Sequence, residues 1–391
     1  MAESFDVVVV GARCGGAATA LLLARAGARV LLMDKGAYGA DTLSTHALMR
    51  GAVLQLHRWG VLPAIEMAGT PPVRVTTFGY SSGTVVIPIE SRYGVEALYA
   101  PRRALLDRTL VDAAVESGAE IRHGAHASDL IVDAGGRVRG VVTVVNGVTS
   151  PVNADVVIGA DGLYSTVAGR VAAAPVVLGQ HATGVLYSYW TGFTAEGYEW
   201  LYSSGSSVGI IPTNDGATCI FVSVPAIRFR EEVRGDATDA YLRLVGIVSP
   251  AVAERLSAAR RVERVRGFGG HVGFIKQGHG PGWALVGDAG YFKDPLTAHG
   301  ITDALRDAEL LACAIIQGTG AALAHYEATR LDLSRELFHI TDTIASFTWS
   351  DDELQSLHRA FSVQMSREVR ALASLEAFPC RSPLVSERPA V

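Results

Sequence analysis

The sequence of 391 residues contains no uncharged apolar run of about 18 residues, the length that a helix needs to cross a bilayer. The most apolar stretch near the start is interrupted by Arg13, Arg25 and Arg29. The chain also lacks a basic segment followed by an uncharged apolar core and a small-residue cleavage site, the pattern of a secretory signal. We therefore expect a cytoplasmic protein with no integral membrane segment.

Cysteines are few in this sequence and lie far apart. They form no Cys-x-x-Cys pair and no cluster with histidine, and they stand at Cys14, Cys219, Cys313 and Cys380. This spacing argues against a disulfide framework and against a zinc site, so we expect no metal. The chain also has no run of basic residues, and its net charge is −5. These two features exclude nucleic acid as an expected partner.

The first 34 residues carry the most informative pattern. An apolar run at 7–10 enters a turn with glycines, an apolar helical pattern follows, and a second apolar run ends at Asp34. This order of strand, turn, helix and strand, closed by an acidic residue, is typical of a unit that binds a dinucleotide. Gly11 allows the sharp turn, Gly16 allows the helix to pack on the strand, and the helix N-terminus would face a pyrophosphate. Asp34 is placed to bind a ribose hydroxyl.

Two later regions interrupt this pattern with short runs of β-forming residues and turns. The interruption predicts an α/β fold in which a doubly wound, Rossmann-like nucleotide domain carries an inserted antiparallel β domain for the substrate, followed by C-terminal helices. The predicted boundaries are 1–70, 97–173 and 276–320 for the nucleotide domain, 71–96 and 174–275 for the substrate domain, 321–375 for the helices and 376–391 for a disordered tail. A helix is also predicted from about residue 46 to residue 59.

Three motifs stand in order along the chain: the glycine turn, Asp161-Gly162 after an apolar strand, and Gly287-Asp288 followed by Pro295 and Gly300. This series resembles the single-component FAD-dependent monooxygenases with the para-hydroxybenzoate hydroxylase type of fold, which are related to geranylgeranyl reductase-like and halogenase flavoproteins. The resemblance spans roughly residues 5–320 and implies a bound, non-covalent FAD. NADH or NADPH would act as a transient electron donor, because the chain has one dinucleotide-binding unit.

The resemblance also implies which residues bind FAD. The residues that would contact its pyrophosphate, sugar, adenine and flavin parts are Gly11, Arg13, Gly16, Asp34, Lys35, Arg103, Ala127, Asp161, Gly162, Asp288, Gly300 and Ile301. Among them, Asp288 would bind the ribityl hydroxyls. The helix that starts at Gly300 would point its N-terminus at the flavin pyrimidine ring.

Two residues depart from the family pattern. Arg13 stands where close approach of the backbone normally requires glycine. Either the turn widens, or the guanidinium turns outward and binds a phosphate or the substrate, or the arginine is simply solvated. His299 stands where many relatives carry glutamine, and it would either change the electrostatics of the reduced flavin or fill space as glutamine does.

The chemistry of this family starts when reduced flavin reacts with O2 to give a C4a-(hydro)peroxide, which passes oxygen to the substrate. The resemblance therefore implies an oxygenase for a small aromatic or conjugated cyclic compound, acting as a monomer or homodimer. His46 and His299 are the candidate catalytic residues; His46 is either a base for a phenol or enol proton, or a helix cap or surface group. The candidates for lining an apolar substrate pocket, or alternatively for filling the core, are Tyr187, Tyr189, Trp190, Trp200 and Tyr202.

Other functions stay open at this point. A C=C reductase of the geranylgeranyl reductase kind shares the architecture and an Asp-Pro-Leu loop similar to residues 294–296. Halogenases share the fold, but this chain lacks a Trp-x-Trp-x-Ile-Pro segment, and the nearest element at 209–212 has neither tryptophan. A non-enzymatic FAD-binding module is a further alternative, and a lack of turnover with any donor would favour it.

Overall fold

The computed structural model describes residues 3–376, which form three β-sheets and a set of helices. Sheet 1 contains β1 (Glu3–Val10), β2 (Val30–Asp34), β5 (Glu120–His123), β6 (Ala125–Val132), β7 (Val138–Val145), β8 (Val148–Gly159), β17 (His279–Gly280) and β18 (Trp283–Leu285). Sheet 2 contains β3 (Val75–Tyr80), β4 (Gly83–Pro88), β10 (Thr183–Thr191), β11 (Tyr198–Ser203), β12 (Ser206–Pro212), β13 (Ala217–Pro225), β14 (Arg260–Arg261) and β15 (Arg266–Phe268). Sheet 3 contains β9 (Pro175–Leu178), β16 (Phe274–Lys276) and β19 (Tyr291–Phe292). The helices are α1 (Cys14–Arg25), α2 (Arg50–Arg58), α3 (Leu62–Met67), α4 (Arg103–Glu116), α5 (Thr166–Arg170), α6 (Ala226–Glu232), α7 (Ala237–Val248), α8 (Pro250–Ala258), α9 (Gly300–Gln317), α10 (Gly320–Ala345) and α11 (Asp351–Ser374).

Sheet 1 contains the parallel strands that the N-terminal pattern predicts. Strands β18, β8, β1, β2 and β5 lie side by side in parallel register. Their apolar runs do not alternate with polar residues, because both faces of the sheet are covered. Helices α1, α4 and α9 cover one face, and the antiparallel β6–β7–β8 extension with α5 covers the other. The predicted α/β fold with a Rossmann-like domain and C-terminal helices is confirmed.

Sheet 2 is antiparallel except between β11 and β3, which pair in parallel. Its strand order is β14-β10-β13-β12-β11-β3-β4, so β4 is an edge strand. Side chains alternate between its two faces, as the two-residue period of a strand requires. One face packs on α7 and α8, and the other shares a core with α9, α10 and α11.

The structure corrects one expectation about local structure and leaves two others open. The helix predicted from about residue 46 begins later, at Arg50, because His46 has a left-handed φ of +68° and the N–H group of Leu48 bonds the carbonyl of Tyr99. The predicted tail 376–391 lies outside the described residues apart from Glu376. The division into domains at the stated boundaries stays a prediction. No helix within residues 3–376 combines the length and the hydropathy required to cross a bilayer.

Candidate active site

The glycine turn between β1 and α1 is fixed by close backbone contacts and by Asp34. Gly11 has a φ of +106°, and a Cβ atom there would collide with the carbonyl of Ala160. A Cβ atom on Gly16 would collide with the carbonyl oxygen of Gly11, so a side chain at either position requires the turn to move. The Asp34 carboxylate accepts a hydrogen bond from the N–H group of Ala12 at 2.7 Å. The turn therefore has the close packing that the sequence predicts.

Arg13 is the N-cap residue of α1 and lies half-buried beside this turn. Its Nη1 atom is buried and has no hydrogen-bond partner among the described residues. A buried donor without an acceptor costs about 1–3 kcal/mol, so an anion at this point would stabilise the arginine. This geometry disfavours the solvated arginine and fits the alternative in which Arg13 binds a phosphate.

Helix α4 brings an ion pair to the N-terminus of α1. Arg103 Nη2 donates to both carboxylate oxygens of Asp107 at 3.0 Å and lies 3.7 Å from the Cys14 sulfur. Asp107 in turn accepts a hydrogen bond from the N–H group of Cys14 at 2.9 Å, one of the donors that a helix start leaves free. Burial raises the pKa of the Cys14 thiol to about 11, which keeps it neutral. Arg103 thus lies where the pyrophosphate is expected, but it is paired with Asp107.

The middle motif, Asp161-Gly162, directly follows the carbonyl that contacts the glycine turn. The Asp161 carboxylate accepts a hydrogen bond from the N–H group of Thr166 at 2.6 Å and so fixes the start of α5. Gly162 has a φ of +81°, which glycine adopts without strain. Ala127 is buried on β6, whereas Lys35 is exposed just after β2. The motif therefore has a structural role that does not require a cofactor.

Asp288 and the start of α9 have fewer close contacts than the residues of the glycine turn. The half-buried Asp288 carboxylate has no hydrogen bond or ion pair within residues 3–376. Burial raises its pKa to about 6, although Arg103 acts in the opposite direction. A carboxylate without donors suits the hydroxyl groups of a ribityl chain. At Gly300 a Cβ atom would meet nothing within 4 Å, so the space beside this first residue of α9 is open. These residues fit FAD.

His299 precedes α9 and is buried among charged side chains from three elements. Its Nδ1 atom lies 3.0 Å from Lys293 Nζ and 3.2 Å from Asp303 Oδ1, and its Nε2 atom lies 3.0 Å from Glu368 Oε2. Arg306 donates to Asp303 at 2.9 Å and to Glu368 at 2.7 Å. Burial and Lys293 lower the pKa of His299, but Glu368 and Asp303 outweigh them and the net shift is upward. The imidazole therefore holds its positive charge to a higher pH than an ordinary histidine.

Three of these residues also have the spacing of metal ligands. One atom each from His299, Asp303 and Glu368 lies within 4.8 Å of the others. However, Lys293 Nζ lies 2.6 Å from Asp303 Oδ2, so an ammonium group already supplies the positive charge that a metal ion would bring. Arg306 forms ion pairs with Asp303 Oδ1 and Glu368 Oε1. We assign the cluster as an ionic network of the chain's own side chains.

His46 is fully buried, and its left-handed backbone is unusual for a residue other than glycine. Its Nε2 atom is hydrogen-bonded to the hydroxyl group of Tyr189, whose ring lies 3.8 Å from the guanidinium carbon of Arg102. Its Nδ1 atom is buried without a partner among the described residues. Burial, followed by Arg102 and Arg103, lowers the pKa of His46 well below its ordinary value. His46 is therefore a neutral imidazole with one free nitrogen, and it is not the cap of α2.

A cavity of about 820 Å³ lies between sheet 2, α11 and the loop before α9. Leu296, Thr297 and His299 from that loop contribute to its wall. The aromatic residues that line it are Phe78, Tyr80, Tyr93, Tyr198, Trp200, Tyr202 and Phe361. Its size and apolar lining are typical of a site for a hydrophobic small molecule.

Of the aromatic residues that the sequence predicts to line a pocket, only some line the cavity. Trp200 and Tyr202 line the cavity. Trp190 points to the opposite face of sheet 2, where its ring stacks on Tyr241 at 6.3 Å and its Nε1 atom donates to the Tyr241 hydroxyl. Tyr189 shares the inner face but contacts His46, and the neighbouring Tyr187 packs edge-on against it.

Helix α11 supplies cavity residues that the sequence analysis did not identify. His358, Phe361 and Glu368 all line the cavity, and their spacing of three and seven residues places them on one face of the helix. The Tyr80 hydroxyl lies 2.8 Å from His358 Nδ1, and burial lowers the pKa of His358 to about 4. Helical periodicity could have indicated this face, but not the sheet against which it packs.

Comparison with known proteins identifies the family. Residues 4–341 match the family model described as FAD binding domain. The chain belongs to this family. The predictions of FAD as cofactor and of an FAD-dependent oxidoreductase related to monooxygenase, reductase and halogenase flavoproteins are therefore confirmed.

Among curated proteins, the chain is similar to digeranylgeranylglycerophospholipid reductases. It is 28% identical over 381 residues to the digeranylgeranylglycerophospholipid reductase of Methanothrix thermoacetophila, covering 90% of each chain. It is also 28% identical over 349 residues to digeranylgeranylglycerophospholipid reductase 2 of Methanopyrus kandleri, covering 82% of this chain and 77% of that one.

Among solved structures, the flavin-dependent brominase Bmp2 superposes with a TM-score of 0.77 at 20% identity, over 97% of this chain and 96% of that one. PqsL, described as a probable FAD-dependent monooxygenase from Pseudomonas aeruginosa, superposes with a TM-score of 0.73 at 20% identity, over 93% of this chain and all of that one. At this identity the likeness establishes the fold.

Proposed function

We propose that the protein is an FAD-dependent oxygenase that adds oxygen from O2 to a flat, hydrophobic aromatic or conjugated cyclic molecule. The observation that carries the proposal is the aromatic-lined cavity beside the loop before α9. Ring contacts are worth about 0.5–1.5 kcal/mol each beyond the area they bury, so walls such as Trp200 and Tyr202 favour flat substrates. A volume of about 820 Å³ leaves room for several fused rings.

FAD, when bound, supplies the electron transfer from NADH or NADPH and the reaction with O2. The residues that we propose hold it are Gly11, Arg13, Gly16, Asp34, Lys35, Arg103, Ala127, Asp161, Gly162, Asp288, Gly300 and Ile301. The free N–H groups at the N-terminus of α9 would stabilise negative charge on the flavin ring. His299 adds positive charge at the same point, and the apolar walls of the cavity exclude water from the substrate.

We propose that His46 exchanges a proton with the substrate, although the side chain is fully buried and does not itself line the cavity. Because Nδ1 has no partner, it can accept the proton of a phenol or enol hydroxyl, and the resulting imidazolium would keep its Nε2 proton in the hydrogen bond to the Tyr189 oxygen. The lowered pKa keeps this nitrogen unprotonated even in mild acid. His46 thereby acts as a transient acceptor whose tautomer is set by Tyr189.

Reduction of a C=C bond is the second candidate function. The curated relatives named above are reductases of geranylgeranyl lipids, and the cavity is apolar enough for a prenyl chain. In that case the substrate would be reduced in the absence of O2.

The first test is consumption of NADH or NADPH by the FAD-loaded protein with 1-naphthol as a flat phenolic probe. Trp200→Leu removes an aromatic wall of the cavity, whereas Trp190→Leu makes the same change on the opposite face of sheet 2. We expect 1-naphthol to stimulate turnover in the wild type and in Trp190→Leu, and the KM to rise at least about tenfold in Trp200→Leu. No stimulation in the wild type, or equal effects of the two changes, would contradict the proposal.

A further inference from the structure

The mouth of the cavity is bordered by apolar side chains that the fold leaves in solvent. Val85, Ile87, Tyr93 and Val363 all line the cavity, yet 43%, 45%, 44% and 59% of each is exposed. The first two lie on β4, an edge strand whose six residues are all exposed. Single exposed apolar residues are common, but a contiguous set around one opening is typical of an interaction site.

Positive charge accompanies these apolar residues. Arg92 and Arg359 are exposed at the mouth and make no side-chain hydrogen bond or ion pair within residues 3–376. Arg50 lies in the wall beside them, and burial together with the charge of Arg92 lowers its pKa. Glu90 contributes one negative charge to the same rim. The mouth is therefore positive on balance, although the chain as a whole has a net charge of −5.

We propose that this mouth docks on a lipid surface with anionic headgroups, from which the hydrophobic substrate enters the cavity. The valine, isoleucine and tyrosine side chains would enter the boundary between headgroups and acyl chains. The two unpaired arginines would bind lipid phosphates, since a cation near an anionic surface adds attraction that salt screens. The inference rests on the proposed function in one respect: the cavity is taken as the substrate pocket.

Charge argues for a lipid surface rather than a second copy of the chain. A two-fold interface centred on the mouth presents the same patch on both partners. Such an interface would bring Arg92 and Arg359 of one copy toward the same residues of the other, with Glu90 as the acidic counterpart on this rim. An anionic surface has no such repulsion.

The experiment is vesicle flotation of the FAD-loaded protein with phosphatidylcholine alone and with added phosphatidylglycerol. We expect the wild type to float with the anionic vesicles, less so as salt is raised, and not with phosphatidylcholine alone. Val363→Glu places a charge in the apolar rim, and Arg92→Glu/Arg359→Glu reverses its positive charge without touching the core. Both variants should bind anionic vesicles at least about tenfold less. Val148→Glu is the matched control, because Val148 is 68% exposed on β8, outside the cavity.

Failure of the wild type to float, or an equal loss of binding in Val148→Glu, would overturn the proposal. A concentration-dependent dimer that Val363→Glu abolishes, without vesicle binding, would overturn it in favour of a second copy. Turnover of the wild type with 1-naphthol in vesicle-free buffer separates the two claims. Turnover without flotation overturns the docking alone, whereas flotation without turnover overturns the proposed function and leaves the docking in place.

Discussion

The glycine turn and the cavity are built in opposite ways. The turn uses two strands and one helix from the first 34 residues, and it is held by Asp34, by its own backbone and by one distant backbone contact, the carbonyl of Ala160. The cavity is lined by side chains from β3, β4, α2, β11, the loop before α9 and α11, which are far apart in the sequence. A local motif is enough to specify the first, whereas the second exists only when distant segments pack together. We therefore propose that the first binds the cofactor and that the second determines the substrate.

Gly16→Ala is the largest expected disruption, and it falls on the turn. The added methyl group would overlap the carbonyl oxygen of Gly11, and because both atoms belong to packed backbone, relief requires the turn to move. We expect a loss of stability of about 3 kcal/mol or more and protein purified without FAD. Gly169→Ala is the control, because a Cβ atom there meets nothing within 4 Å. FAD content and the free energy of unfolding should stay near wild type in the control; wild-type FAD content in Gly16→Ala would contradict the account.

Glu368→Gln tests the cavity side through the ionic network that joins α11 to α9. The change leaves Arg306 and His299 buried with less negative charge, which costs about 3 kcal/mol. The pKa of Glu368 is lowered in the folded chain, so its contribution is present above its unfolded value near 4.5 and is lost as the pH falls. The difference in unfolding free energy should therefore be largest near neutral pH and shrink in acid. Glu309→Gln is the matched control: Glu309 is also buried, but its cationic partner, Arg58, is partly exposed, so the control should lose less stability than Glu368→Gln. Equal losses of unfolding free energy in the two variants would show that the ionic network contributes no more to stability than the pair of Glu309 with Arg58.

Asp288→Asn sharpens the comparison because stability and cofactor binding should change in opposite directions. The pKa of Asp288 is raised from 3.8 to about 6, so the folded apo chain retains a proton there between these values. The contribution of Asp288 to the unfolding free energy of the apo chain therefore falls as pH rises from about 4 to about 6. Above pH 6 we expect the apo variant to be more stable by about 1–2 kcal/mol, and equal to wild type near pH 4. FAD affinity should fall at least about tenfold.

Asp294→Asn is the control for the predicted gain in stability of the apo Asp288→Asn variant. The pKa of Asp294 is also raised to about 6, but its carboxylate accepts hydrogen bonds from the N–H and hydroxyl groups of Thr183. Its loss should destabilise the chain. An apo Asp288→Asn protein that is less stable than wild type at pH 8, or one with unchanged FAD affinity, would remove Asp288 from the ribityl role.

His299→Gln should have the smallest effect of these changes. His299 lines the cavity and also precedes α9, the helix that we propose faces the flavin. The imidazolium adds positive charge at the start of α9 and favours negative charge on reduced flavin. Since the pKa of His299 is raised, this charge is present below that pKa and is lost as pH rises through it. The variant should have a lower flavin reduction potential in mild acid, by the order of 1 kcal/mol, and match the wild type at high pH. If the flavin reduction potentials of the variant and the wild type coincide over the whole pH range, His299 only fills space as glutamine does.

Local constraints explain how much of the molecule the sequence predicts. Gly11, Gly16 and Asp34 were identifiable because the turn forces their residue types within a short segment. His46 illustrates the limit. Its left-handed backbone and the bridge between Leu48 and Tyr99 delay the start of α2 to Arg50, and these contacts with distant residues leave no local pattern in the sequence.

The cavity shows the same limit for side chains. Trp190 and Trp200 are equally aromatic in the sequence, and only the register of sheet 2 decides which of them faces the cavity. Glu368 could not be assigned, because its partners His299 and Arg306 lie more than 60 residues away and meet it only after α11 packs on α9. Long-range ion pairs leave no local pattern in a sequence.

The most direct test of the central claim is a turnover of the FAD-loaded protein with 1-naphthol and NADH or NADPH under ¹⁸O2, with the product analysed by mass spectrometry. The account predicts that the product carries ¹⁸O and that no product forms under nitrogen. A digeranylgeranyl glycerophospholipid offered under nitrogen is the matched arm for the second candidate. Reduction of its C=C bonds without O2, together with the absence of ¹⁸O from any naphthol product, would contradict the oxygenase and establish the reductase.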